Sequence, residues 1–215
     1  MERQSIAVCF ALAEEAGPFR KLAGDGAPIF ITGIGRLNAE KAVREYLKDR
    51  LPELLLTCGF AGGLDPALAV GDVVFEVSSN AGKGADVEAK LISAGAKKAK
   101  IHCADRIATT AVEKKKLRDE TGADAAEMES GAVQAVCRER SLLCATVRVI
   151  SDTASEDLPV DFNEFLKPDK SVDMGKLFLT AAMSPKKMAG LMELQKKTKL
   201  AAERLAEVLA KAMET

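Results

Sequence analysis

From Leu142 to Ile150 the chain is apolar except at Thr146 and Arg148, and this stretch reads as a buried β-strand. Immediately before it, Ser130 to Arg140 carries Ala and Val at helical spacing, so the two segments form one helix–strand unit of an α/β fold. Carboxylates stand at both ends of that unit. Glu127 and Glu129, with Met128 between them, are expected to open the helix, and Ser151-Asp152 closes the strand. Site chemistry in open α/β sheets gathers where strands end. Asp152 is therefore either an N-cap for the following segment or a functional acid. Arg148 needs a carboxylate or a ligand anion as partner, because a guanidinium in an apolar strand loses its hydration.

The rest of the chain suits the same central sheet. Ser5 to Leu12 reads as a strand running into Glu14, Glu15, Pro18 and Phe19 at a helix start, and Pro28 to Thr32 as a second short strand. Gly33-Ile34-Gly35 is a tight turn before a helix with Leu37, Ala39, Ala42, Val43 and Leu47 on one side. Leu54 to Cys58 is a further buried strand, leading into a glycine loop, Gly59-Phe60-Ala61-Gly62-Gly63, and then into a strand from Val73 to Val77. Ser78 to Ala85 is a loop, Asp86 to Ala94 a short helix, and the stretch around Ile101 a strand. Ala111 to Glu120 is a charged helix ended by Gly122. Ser184-Pro185 starts a long last helix with Met188, Leu191, Met192, Leu205, Val208 and Leu209 as its apolar face. No repeat or linker interrupts the 215 residues, so residues 1–215 are expected to form a single domain.

Composition removes several classes of function. The formal charge of −1 leaves no basic face for nucleic acid, and the runs Lys97 to Lys100 and Lys114 to Lys116, with no interleaved aromatics, read as solvated faces. No apolar run approaches the roughly 20 residues of a membrane span, and no signal segment is evident, which points to a cytoplasmic protein. Cys9, Cys58, Cys103, Cys137 and Cys144 have no metal-ligand spacing and read as small buried hydrophobes; neither metal nor organic cofactor is expected. Dinucleotide and P-loop fingerprints are absent, and the lone histidine, His102, has no GxSxG elbow to serve. A small-molecule ligand remains.

Glu15, Glu129 and Asp152 are each expected at a strand exit or helix entrance, which brings them to one sheet edge. Three acids there could run acid/base chemistry, but their placement alone favours the plainer reading that each is a helix N-terminal acid, stabilised by capping and the dipole. The glycine stretch lets backbone approach a ligand closely, or is simply a turn.

In order along the chain, Ala13-Glu14-Glu15, Thr32-Gly33-Ile34-Gly35, Gly59-Phe60-Ala61-Gly62-Gly63-Leu64, Val70-Gly71-Asp72-Val73-Val74, Glu127-Met128-Glu129 and Val149-Ile150-Ser151-Asp152 resemble the nucleoside phosphorylase/nucleosidase superfamily. Within it the chain resembles methylthioadenosine/S-adenosylhomocysteine nucleosidases, and the wording Gly-Phe-Ala-Gly-Gly-Leu-Asp-Pro-Ala-Leu with the C-terminal helix resembles hopanoid-associated nucleosidases thought to act on adenosylhopane. The resemblance implies a three-layer α/β/α domain with a mixed central sheet, a purine nucleoside as substrate and a homo-oligomer, with a dimer favoured. It implies Asp152 as the acid that protonates purine N7, oriented by Ser151, and Glu15 as the carboxylate that activates water. Glu129 would hold the ribose hydroxyls, Met128 would lie on the sugar face, Glu127 would border the base, Phe60, Ala61 and Gly62 would line the substrate, and Arg148 would sit near the water or phosphate.

Two positions depart from the pattern. Phe60 stands where the family carries a small hydroxyl residue, and Thr57 where phosphorylases carry a phosphate-binding Arg. The expected reaction is therefore hydrolysis of the N-glycosidic bond of a 5′-modified adenosine. A phosphate-dependent phosphorylase and a non-catalytic nucleoside-binding protein are the alternatives.

Overall fold

In the first strand Ala7 and Cys9 point to one side and Val8 and Phe10 to the other, and all four are buried, so both faces of the sheet are covered. The computed structural model describes residues 6–24, 27–78, 82–167 and 173–214. Along the chain β1 (Ile6–Phe10), α1 (Ala13–Ala23), β2 (Ile29–Ile31) and α2 (Arg36–Tyr46) lead into the long strand β3 (Leu54–Gly63). There follow β4 (Val73–Val77), α3 (Lys83–Ala94), the short strands β5 (Lys97–Lys98) and β6 (Ile101–Cys103), α4 (Ala111–Thr121) and β7 (Ala125–Glu127). The helix α5 (Ser130–Glu139), the strand β8 (Leu143–Asp152), α6 (Met174–Ala182) and α7 (Pro185–Glu214) complete the order. No described helix is long and apolar enough to cross a membrane.

The sheet is mixed, with strands in the order β2-β1-β3-β8-β4-β5. Neighbours pair in parallel except β4, which runs antiparallel to β8. One core joins the sheet to α1, α3 and α7 through Phe19, Leu91, Leu205 and Leu209; a second joins the other face to α2 and α5 through Val43, Leu47, Val133 and Val136. This is the expected three-layer α/β/α arrangement. The ladder between β3 and β8 slips between Ala61 and Gly62, and beyond the slip Gly62 pairs with Asp152 of β8 while Gly62 and Gly63 also pair antiparallel with β7, which β6 extends. The ends of β3, β7 and β8 are thereby drawn together.

Several expectations change. The stretch Gly59 to Gly63 is the second half of β3 rather than a loop, because its backbone completes the ladder with β8 and β7. Glu127 ends a strand, and α5 opens only at Ser130, with Glu129 in the N-cap position. The loop expected from Ser78 to Ala85 gives way to helix at Lys83, while Ser5 lies outside the described residues. Leu37 and Met192, expected on buried faces, are 79% and 55% exposed. The long helix packs on the sheet mainly from Ala201 onward, so its first half has no sheet to cover. Lys114, expected on a solvated face, is 1% exposed.

Two substitutions check this division of the apolar residues. Leu205→Ala, in the core under α7, should lower the unfolding free energy by roughly 2–5 kcal/mol. Leu37→Ala should change it by less than about 0.5 kcal/mol. Denaturant titration of both reads the difference.

Candidate active site

Four buried carboxylates, Glu15, Glu127, Glu129 and Asp152, meet where β3, β7 and β8 end, with Glu15 reaching in from the first turn of α1. All four line one cavity of about 250 Å³, whose wall also includes Phe60, Ala61, Gly62, Met128 and Ser151.

Glu15 is held by backbone alone. Its Oε2 accepts from Leu12 N–H at 2.9 Å and its Oε1 from Phe60 N–H at 2.9 Å. Burial pushes its carboxyl group up to about 7, against the opposing effects of the Phe60 N–H, the Arg148 guanidinium and the Leu12 N–H. A Cβ at position 59 would lie 2.7 Å from Glu15 Oε1, so only glycine lets the carboxylate reach the strand this closely.

Glu127 and Glu129 are organised by Arg148. The guanidinium meets Glu127 Oε2 at 2.5 Å and Glu129 Oε2 at 3.8 Å, and it donates to Thr57 Oγ1 at 3.3 Å. Glu127 also accepts from Ser130 Oγ at 2.6 Å and from the N–H groups of Glu129 and Ser130 at 3.0 and 2.8 Å. Burial works against the charge of Glu127, but Arg148 and Ser130 outweigh it and hold the carboxyl below its ordinary range. Glu129 has less support. Burial, reinforced by the charge of Glu127, raises it despite Arg148 and despite a 2.7 Å bond from Gly35 N–H. Gly35 is in a positive-φ conformation at the head of α2, so the Gly33-Ile34-Gly35 turn presents its amide to the site. Arg148 itself is fully buried, stays charged through Glu127 and Glu129, and stands behind these carboxylates rather than lining the cavity. The carboxylate partner that a guanidinium in an apolar strand requires is thus Glu127, with Glu129 further off.

Asp152, the last residue of β8, is gripped on both oxygens. Ser151 Oγ donates to Oδ1 at 2.6 Å, and Lys114 Nζ lies 2.5 Å from Oδ2. The small residues of β3 make room for it: a Cβ on Gly62 would come within 3.3 Å of Oδ2. Lys114 belongs to no motif in the sequence, yet its place on α4 carries a trace of burial. Ala111, Lys114, Leu117 and Thr121 recur at helical spacing on α4, and they form its inward side. Leu158, Phe162 and Leu194 also close the cavity from segments that carry no motif.

A mixed α/β/α sheet whose strand ends gather carboxylates around an apolar-walled cavity defines a small-molecule site of the α/β type. A family model described as Phosphorylase superfamily matches residues 90–214, and the chain belongs to that superfamily. It is 27% identical over 176 residues to a 5'-methylthioadenosine/S-adenosylhomocysteine nucleosidase of Shewanella halifaxensis, covering 68% of this chain and 76% of that protein. The enzyme of the same name from Shewanella pealeana is 27% identical over 196 residues, covering 77% and 84%. The fold is shared with a solved futalosine hydrolase of Helicobacter pylori, with TM-score 0.71, 18% identity and 98% and 97% of the two chains covered. It is shared equally with a 5'-methylthioadenosine/S-adenosyl homocysteine nucleosidase of the same organism, with TM-score 0.72, 18% identity and 100% and 99% covered.

The raised Glu15 gives a stability signature. Its folded carboxyl titrates near 7 against an ordinary value of 4.5, so the native state binds a proton that the unfolded chain has released between those values. Its contribution to stability is complete below about pH 4.5 and is lost as pH rises through about 7. Glu15→Gln should flatten that decline and be more stable than the parent at pH 8, as read by denaturant unfolding at pH 5 and pH 8.

Proposed function

We propose that this protein hydrolyses the N-glycosidic bond of a purine nucleoside, an adenosine with a modified 5′ position. That it is an N-glycosidic-bond-cleaving enzyme rests on its superfamily and on its identity to methylthioadenosine/S-adenosylhomocysteine nucleosidases. The choice of water as acceptor and of the substrate is our reading. Its main support is one observation: Glu15 and Asp152 line the same cavity, one held only by backbone N–H groups and the other between a hydroxyl and an ammonium.

In this reaction the bond from the sugar to the purine breaks toward an oxocarbenium-like sugar. Asp152 protonates N7, so the base leaves neutral rather than as an anion. Glu15 takes a proton from water as its oxygen bonds to the anomeric carbon. Glu129 accepts from the ribose hydroxyls, Met128 packs on the sugar, and Glu127 borders the base. The surrounding carboxylates favour the positive charge that grows on the sugar.

Water is preferred to phosphate on three grounds. Phe60 offers no hydroxyl to an anion, Thr57 is buried and engaged by Arg148, and Arg148 is matched by Glu127 behind the cavity wall. The two cations in the cavity wall, Lys114 and Arg106, are already paired with Asp152 and Glu113, so an incoming phosphate would meet four carboxylates and cations that are engaged elsewhere. The 5′ group of the substrate is the open choice among an adenosylhopane-like tail, methylthio and homocysteinyl.

Release of the free base (adenine from adenosylhopane, methylthioadenosine and S-adenosylhomocysteine, hypoxanthine from inosine as comparison) tests the reading in phosphate-free buffer and again with phosphate. Release without phosphate is expected. Release only with phosphate would make the protein a phosphorylase, and no release with intact binding would make it a nucleoside binder. Asp152→Asn should keep nucleoside affinity while lowering turnover by roughly two to four decades.

A further inference from the structure

Lys114 is the one buried lysine of the site, and the reaction outlined above assigns it no part. A lysine at 1% exposure has lost nearly all its hydration, which is tolerable only when its ammonium is fully bonded. Here it is. Nζ lies 2.5 Å from Asp152 Oδ2 and donates to the carbonyls of Thr153 at 2.7 Å and Glu156 at 2.8 Å. Three donors meet three acceptors, so although Lys114 is part of the cavity wall, no N–H is left to read a substrate directly. Its influence has to pass through Asp152.

The carboxyl group is otherwise fixed at one oxygen only. Ser151 Oγ bonds Oδ1 and also approaches the Ala61 carbonyl at 3.3 Å, which ties it to β3. With Lys114 on Oδ2, rotation about the Asp152 side chain is blocked from both sides. The same ammonium pins the backbone that leaves β8, and Glu156 is tied in turn to Lys197 of α7 at 2.5 Å. The acid therefore sits between a strand end and a clamped turn.

We propose that Lys114 is a positioning residue for the cleavage, anchoring the Asp152 carboxyl group at the base end of the cavity in the orientation from which it meets the purine. This rests on the nucleosidase reading above. The role is defined by dependence: removal of the ammonium should matter only while Asp152 is there to be positioned.

A double-mutant cycle reads that dependence. Lys114→Met keeps most of the length and the apolar character of the side chain's stem and removes the charge. With folding verified by circular dichroism and a cooperative melt, its kcat should fall roughly ten- to thousandfold, within the range of a disabled acid/base group, with KM within about threefold of the parent. In the Asp152→Asn background the same change should alter kcat by less than about threefold. An unchanged kcat in folded Lys114→Met overturns the proposal. So do losses that multiply in the double variant, or a KM that rises while kcat is kept, since each marks a lysine that acts on the scaffold or the substrate instead. If Lys114→Met does not fold, Lys114→Gln, which retains donors for the two carbonyls, enters the same cycle; failure of both to fold makes Lys114 a folding residue and also overturns it. A parent protein that releases no base overturns the nucleosidase reading and this inference with it, whereas an active parent beside an unaffected Lys114→Met overturns the inference alone.

Discussion

The Arg148 guanidinium, carried into the interior by the central strand, is the buried charge against which the neighbouring carboxylates are arranged. A buried guanidinium is tolerated only with carboxylates in contact, and Glu127 supplies the closest at 2.5 Å. That pairing decides which acid is committed and which is free to change. Glu127 is held down, spends its oxygens on Arg148, Ser130 and two amides, and becomes part of the frame. Glu129 and Glu15 receive only part of the same positive charge, and burial wins over it in both. One cation among three acids thus yields one fixed carboxylate and two that are poised.

This arrangement explains why the strand ends must come so close. Glu15 belongs to a helix that follows β1, while the residues it serves belong to β3 and β8, and its direct hold on β3 is the Phe60 amide. The approach is possible because position 59 has no Cβ, and Asp152 is seated in the same way against Gly62. The glycines act as clearance within a strand, not as turns. Their value lies in what neighbouring side chains can reach.

The same point shows which parts of the molecule were legible in the sequence. Apolar runs with β-branched residues located β1, β3, β4 and β8, and capping residues located α4 and α7, because those signals are local. The carboxylates at strand exits were legible for the same reason. The antiparallel turn of β3 onto β7 was not, since a glycine-rich segment looks alike as loop and as strand until its partner is known. Leu37 and Lys114 depart from the sequence pattern in opposite directions. A leucine on α2 is exposed and a lysine on α4 buried, because which side of a helix turns inward depends on what the rest of the fold places beside it. The roles of Glu15, Glu129 and Asp152 come from the resemblance, since their spacing alone favours capping.

On the proposed reading, electrostatics also bear on the choice of acceptor. A cavity bordered by Glu15, Glu127, Glu129 and Asp152 favours a sugar that becomes positive, and an anionic nucleophile would partly cancel that advantage while meeting repulsion on entry. Water has neither drawback, but it is a weak nucleophile and needs a base whose carboxylate can accept a proton near neutrality. Glu15, pushed up to about 7 by burial, is matched to that task in a way that an exposed glutamate is not. The same burial that costs the folded state some stability at high pH is thus what makes hydrolysis the better use of this site.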